Sequence, residues 1–198
     1  MKITVIGHWG AYPEANQATS GYLVQTEETN ILLDCGSGVL SKVQSYIDLS
    51  QLDAVILSHY HADHIADIYS LQYGIMIASK SGQRQEPLFI YGHAQDEKFQ
   101  SLAYKSYCVA QSIAPNQSLT IGDLKLSFSK NVHPGPLSLA TKVEDANGKK
   151  FIYSGDTEWS QELVNLAQEG DLFICEASLY NEQRGQIFGH LTGGETGE

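Results

Sequence analysis

Apolar positions along this 198-residue chain recur with two different periods, and the changes between them mark out the elements. The β-branched run from Ile3 to Gly7 predicts a first strand, followed by a loop from His8 to Thr19 that contains Gly10 and Pro13. Residues 20–26 and 30–34 are two short strand-like runs joined by a polar turn, the pattern of a hairpin. Gly36 and Gly38 break the second run, after which Val39, Val43, Tyr46 and Ile47 recur at helical spacing. Residues 52–58 are continuously apolar and β-branched, as expected of a strand buried on both faces. Beyond His64, the spacing of Ile65, Ile68, Leu71 and Ile75 predicts a helix that ends in a polar run over 79–86. Residues 87–92 then read as a strand and 94–107 as a helix.

From residue 119 onward the period is mostly two. Strands are predicted over 119–129, 138–145 and 149–156, with turns at Gly122-Asp123 and Asn147-Gly148. A short helix over 160–168 and a strand over 171–177 follow. Neither repeats nor a low-complexity linker interrupt the pattern. The reading is one domain, 1–198, with two sheet-building halves and helices outside.

Composition narrows the class. A chain of this length, 42% hydrophobic, can bury roughly 70% of its unfolded surface without disulfides. Its apolar stretches fall short of the roughly 18 residues that span a bilayer, so no membrane segment is expected. The first ten residues read as a strand and not as a signal peptide. Twelve Lys and Arg against 23 Asp and Glu leave a net charge of −11, which disfavours a large sequence-independent nucleic-acid footprint. Cys35, Cys108 and Cys175 are odd in number and far apart, without CxxC spacing. They are expected to be reduced thiols of a cytoplasmic protein, with no disulfide partner and no thiolate metal site.

The candidate chemistry lies in Ser58-His59-Tyr60-His61-Ala62-Asp63-His64, directly after the buried strand. Three of the chain's seven histidines fall within six residues, too dense for a merely polar loop. In an extended run His59 and His61 project to one side, and the turn that follows brings Asp63 and His64 to a second point nearby. Imidazoles and a carboxylate suit Zn²⁺ and related divalent ions, and two adjoining ligand sets suit two close ions.

This segment matches the HxHxDH signature of the metallo-β-lactamase superfamily, which the chain resembles over essentially its whole length. The hairpin ending in Leu32-Leu33-Asp34-Cys35-Gly36, the later lone His133 and Ser154-Gly155-Asp156-Thr157 follow in the superfamily's order. The ribonuclease Z-like branch is the most similar. Cys175-Glu176-Ala177-Ser178 resembles that branch's His-Glu-Ala-Thr segment, and Gly189-His190-Leu191-Thr192 resembles its His-Ser-Thr segment.

The resemblance implies a four-layer αββα sandwich of two mixed sheets. It also implies a dinuclear zinc centre, with manganese or iron as alternative metals. His59, His61 and His133 would hold one ion, Asp63 and His64 part of the second, and Asp156 would bridge ions about 3.5–4 Å apart. A hydroxide between the metals would attack the substrate, and Asp63 would accept a proton from the attacking water. His190, oriented by Glu176, would protonate the leaving group. From the residues alone, His133 also reads as a turn residue before Pro134-Gly135-Pro136, and Asp156 as a helix N-cap for 157 onward. Asp34 either orients a metal ligand or caps a turn. Ser20-Gly21 either lines the pocket or begins a strand. His8 and His93 are expected outside the ligand set.

Two features depart from the ribonuclease Z pattern. Only 22 residues, 134 to 155, separate His133 from Asp156, too few for the basic, glycine-rich arm by which such enzymes grip tRNA. Cleavage of tRNA precursors is therefore not expected, whereas phosphodiester chemistry is. Second, Thr192-Gly193-Gly194-Glu195 fits a capping box with three residues left after it. The resemblance implies a further helix, strand and histidine ligand, so the chain is expected to be C-terminally truncated. Its apolar face would then be exposed and would favour a homodimer. The expected function is a dinuclear zinc hydrolase acting on a small phosphodiester, a nucleotide or an RNA end. The alternatives are a thioesterase or lactonase, or an inactive truncated metal-binding domain. A β-lactamase fits less well, because lactamases carry a cysteine where Asp156 stands.

Overall fold

The computed structural model describes residues 1–135 and 137–198. Pro136, read above as part of the turn after His133, lies outside them. The chain divides into two compact units, Met1–Ile113 and Ala114–Glu198.

The first unit is built on a six-stranded sheet of β1 (Lys2–Gly7), β2 (Gly21–Gln25), β3 (Asn30–Leu33), β4 (Ala54–Ile56), β5 (Leu88–Gly92) and β6 (Cys108–Ser112), ordered as numbered. β1, β2 and β3 pair antiparallel, and each later neighbour pairs parallel. The predicted hairpin closes with Gln25 opposite Asn30, and the Thr26 N–H donates to the Thr29 carbonyl at 2.9 Å. All three residues of β4 are buried, as its unbroken apolar run requires of an inner parallel strand.

Three helices accompany this sheet: α1 (Val39–Val43), α2 (Ala62–Ile65) and α3 (Ile68–Lys80). α3 turns Ile68, Leu71 and Ile75 into a core that also holds Leu23, Leu32, Val55, Leu57 and Ile90. α1 is only five residues long, and the N–H groups of Tyr46 and Ile47 both return to the Val43 carbonyl.

The helix predicted over 94–107 does not form. Its place is taken by a 3₁₀ segment, Glu97–Leu102, and strand β6 begins at Cys108. The reason is tertiary. The Gln72 side-chain amide donates to the carbonyls of Ser101 and Leu102, at 2.8 and 3.0 Å, and so competes for acceptors that an α-helix would spend on its own ladder. Asp96 caps the segment by accepting from the Lys98 N–H, and Lys105 turns the chain at a positive φ of 51°.

The second unit holds a five-stranded sheet of β7 (Ser118–Ile121), β8 (Leu124–Lys130), β9 (Leu139–Glu144), β10 (Lys150–Tyr153) and β11 (Leu172–Ile174), in the order β11-β10-β9-β8-β7. Only β10 and β11 pair parallel. The two predicted turns carry Gly122 and Gly148 at positive φ, 54° and 75°. β8 alternates as the period-two pattern requires, with Leu124, Leu126 and Phe128 buried and Lys125 exposed. α4 (Gln161–Ala167) packs Leu166 against Ala140 and Ile152. Its cap is Ser160, whose hydroxyl accepts from the Leu163 N–H, so Asp156 is not the cap of this helix. The capping box read at Thr192 and Glu195 is present at the start of α5 (Gly193–Gly197).

Cys35, Cys108 and Cys175 are free thiols. No helix among the described residues is long and apolar enough to cross a membrane.

Candidate metal centre

In the first unit the histidine motif follows β4 and enters α2. His59 and Tyr60 lead to His61, which is extended at the N-cap, and Ala62 to Ile65 form the first helical turn. Beneath them lies Asp34, fully buried at the end of β3 with a positive φ of 57°. One carboxylate oxygen, Oδ1, accepts from the Ser58 N–H at 2.7 Å. The other, Oδ2, accepts from the Ser58 hydroxyl at 2.8 Å and lies 2.7 Å from His64 Nδ1. Asp34 is thus bonded to Ser58 and to the His64 ring.

These bonds set tautomers. With a carboxylate at His64 Nδ1, the ring proton sits there and the lone pair is on Nε2. The Ser58 hydroxyl spends its proton on Asp34, so His59 Nδ1, 3.0 Å away, donates to it and leaves its lone pair on Nε2 as well. His59 Nε2 faces His61 Nδ1 at 3.0 Å, and the His59 and His64 ring centroids are 4.1 Å apart. Asp63 Oδ2 lies 3.7 Å from His64 Nε2 and accepts from the Ala11 N–H at 2.9 Å. His59 and His64 are buried while His61 is exposed. Neutral imidazoles with preset lone pairs beside a carboxylate are a donor set that fits a divalent cation.

The segment is also pinned through its backbone. The carbonyls of Asp63 and His64 accept from the N–H groups of Ser20 and Cys35, at 3.2 and 2.8 Å. A Cβ at Gly36 would stand 1.9 Å from the Asp63 carbonyl oxygen and 2.1 Å from Thr19 Oγ1. Gly36→Ala should therefore displace the motif backbone and destabilise the protein by about 1–3 kcal/mol, the usual cost of overpacking. Chemical denaturation checks this, and a variant as stable as its parent would show that no such contact exists.

Nearby groups are held uncharged. Burial, with the charges of Asp67 and Asp34 adding to it, pushes the Cys35 thiol well up. Burial also raises the Tyr60 phenol, with the charge of Asp96 adding, and its hydroxyl donates to the His93 carbonyl at 2.7 Å. His93 is buried behind the motif, whereas His8 is exposed.

In the second unit a smaller network surrounds His133, Asp156, Glu176 and His190. His133 Nδ1 lies 2.8 Å from the Gly189 carbonyl, which can only accept, so the lone pair of this ring is also on Nε2. Gly189 has φ 91°, and a Cβ there would stand 2.1 Å from the Pro134 ring. The Asp156 backbone is fixed by its carbonyl, which accepts from Asn131 Nδ2 and the Ser138 hydroxyl. Glu176 accepts from the N–H groups of Thr157 and Leu191, at 2.6 and 3.3 Å. His190 Nδ1 stands 3.2 Å from Glu176 Oε2 and 3.9 Å from Asp156 Oδ2. Asp156, Glu176 and His190 each offer a ligand atom, and these atoms lie within 4.8 Å of one another. The residue types of Ser58 and Gly189 do not by themselves announce these contacts. Ser58, placed directly before the motif, was the visible signal.

Two mixed sheets with helices, carrying oriented imidazoles and carboxylates on their loops, define a metal-binding α/β protein. The chain belongs to the metallo-beta-lactamase superfamily, whose model matches residues 16–190. The probable metallo-hydrolase YhfI of Bacillus subtilis is 41% identical over 198 residues, covering 100% of this chain and 80% of that protein. The crystal structure of YhfI superposes with a TM-score of 0.94, covering 98% of this chain and 79% of that one. A ribonuclease Z of Methanosarcina acetivorans is 24% identical over 239 residues, 92% of this chain and 76% of the enzyme. The short form of human tRNase Z shares the fold at TM-score 0.79 and 20% identity, covering 100% of this chain and 86% of that one. The chain is thus a metallo-hydrolase of this fold, related to ribonuclease Z.

Proposed function

We propose that the chain is a dinuclear zinc phosphodiesterase acting on a small phosphodiester, a nucleotide or an RNA end. The observation that carries this reading is the preset of His59, His64 and His133, whose lone pairs are all held on Nε2 by Asp34, Ser58 and the Gly189 carbonyl. The ligands are His59, His61, His133, Asp63, His64 and Asp156, as the family resemblance implies. Aspartate at 156, and not the cysteine of the lactamases, favours phosphodiester over lactam chemistry.

Two zinc ions bound by these residues would supply Lewis acidity toward the phosphoryl oxygens and water acidified to near-neutral pH. The side chains supply the rest. Asp63 Oδ2, positioned by the Ala11 N–H, accepts the proton of the attacking water. As the phosphorus–oxygen ester bond breaks, protonated His190 gives its proton to the leaving oxygen. Glu176, beside His190 Nδ1, orients the ring and stabilises the imidazolium.

Metal content per chain, measured by mass spectrometry after exhaustive dialysis, tests the first half of the proposal. About two zinc ions are expected. Cleavage of bis-p-nitrophenyl phosphate is expected to exceed that of p-nitrophenyl acetate or a thioester. The opposite preference would replace the phosphodiesterase with an ester hydrolase, and a chain that retains no metal would reduce the protein to an inactive domain.

A further inference from the structure

The loop between β1 and β2 presents two aromatic rings to solvent at the point where it grips a residue of the histidine motif. Its roots are fixed. The N–H groups of His8 and Trp9 both donate to the Ala18 carbonyl at 3.2 Å, and Trp9 bridges to Thr19. Ala18, Thr19 and Ser20 are buried. At its crest the Ala11 N–H donates to Asp63 Oδ2, and Ala11 adopts a positive φ of 54° in doing so. A non-glycine residue held in that region is strained, so the crest is built against local preference to reach Asp63. Trp9 and Tyr12 flank this anchor, 38% and 76% exposed. Ile6, just before the loop, is buried, so the chain puts its apolar side chain inward there and leaves the two aromatics out.

Charge says what these rings are suited to meet. Within residues 8–17 only Glu14 is charged, and the whole chain carries −11. No Lys or Arg lies within residues 8–17, so this loop offers an anion no charge pairing. Neutral stacking on an aromatic face gives affinity that net charge does not oppose, and every nucleobase has such a face. We propose that Trp9 and Tyr12 form a platform on which the substrate's nucleobase stacks, placing its phosphate beside Asp63. This rests on the phosphodiesterase reading and narrows it to phosphodiesters that carry a base. Both residues are positioning residues.

Fluorescence tests the platform without turnover. Trp9 and Trp159 are the two tryptophans, so Trp159→Phe leaves Trp9 as the only indole. In the full zinc-loaded chain, adenosine 5′-monophosphate should quench Trp9 emission saturably and ribose 5-phosphate should not. Tyr12→Ala should raise the Kd for the nucleotide about tenfold or more, as loss of one stacking partner does, with zinc content unchanged. Tyr12→Phe, which keeps the ring, should restore it. Equal binding of the two ligands, or a Kd unmoved by Tyr12→Ala in a folded protein, overturns the platform. The two readings fail separately. A protein that discriminates the base yet cleaves no phosphodiester keeps the platform and loses the reaction. An active phosphodiesterase whose KM for a nucleoside ester is unchanged by Trp9→Ala loses the platform alone.

Discussion

Asp34→Ala is expected to cost about 3–5 kcal/mol of stability and, on the proposed zinc assignment, to weaken zinc binding about 10- to 100-fold. The stability loss follows from what the carboxylate satisfies. Asp34 is fully buried, and its removal strands the Ser58 N–H, the Ser58 hydroxyl and His64 Nδ1 in a site closed to water. Alanine also tolerates φ 57° less well than aspartate, whose short polar side chain favours that region. The loss of affinity has a different cause: without an acceptor at Nδ1, the His64 proton can shift to Nε2 and block the lone pair.

Asp34→Asn separates the two effects. Its amide oxygen can keep the Ser58 N–H bond and the backbone conformation, so stability should stay near that of the parent. Its NH₂ then faces His64 Nδ1, where a donor imposes the wrong tautomer, so zinc affinity should still fall. Urea denaturation and a competitive zinc titration read the two quantities independently. An alanine variant as stable as the parent would show that Asp34 does not support the motif, and an asparagine variant that binds zinc as the parent does would show that it does not orient His64.

The same contrast explains what was legible in the sequence. Period-two spacing, helical spacing and, for β4, an unbroken apolar run located β1 to β5, α3 and the second-unit strands, because in each the side-chain pattern follows from the element's own geometry. The HxHxDH motif was legible because its chemistry is local, six residues between a buried strand and a helix. What escaped depends on partners remote in sequence. Residues 94–107 have helical composition, and the amide of Gln72, about thirty residues earlier, diverts two of their carbonyls. Asp34 reads equally as a turn cap until Ser58 and His64, 24 and 30 residues later, are seen to close on it. Gly36 resembles any strand-ending glycine, although its missing Cβ is what admits the Asp63 carbonyl. No periodicity records such pairings. They are set by which loops the sheet order brings together.

His61→Ala should show the reverse of the Asp34 result: a fold as stable as the parent and a reaction largely lost. His61 is exposed and sits at the N-cap of α2 without a side-chain capping bond, so little of the fold is expected to rest on its ring beyond the contact with His59. Its Nδ1 faces His59 Nε2 at 3.0 Å, and on the proposed assignment both nitrogens serve the same ion. Removing one donor from such a set should lower zinc content after dialysis to about one ion per chain or less. The several kcal/mol of charge stabilisation lost with that ion correspond to roughly a 10³-fold fall in kcat/KM for a phosphodiester. Thermal melting, metal analysis and hydrolysis of bis-p-nitrophenyl phosphate on one preparation decide the matter. An unchanged melt with both metal and activity reduced supports the ligand role. Full turnover by a folded His61→Ala protein would remove the motif from the reaction, and with it the assignment of this unit's histidines to catalysis.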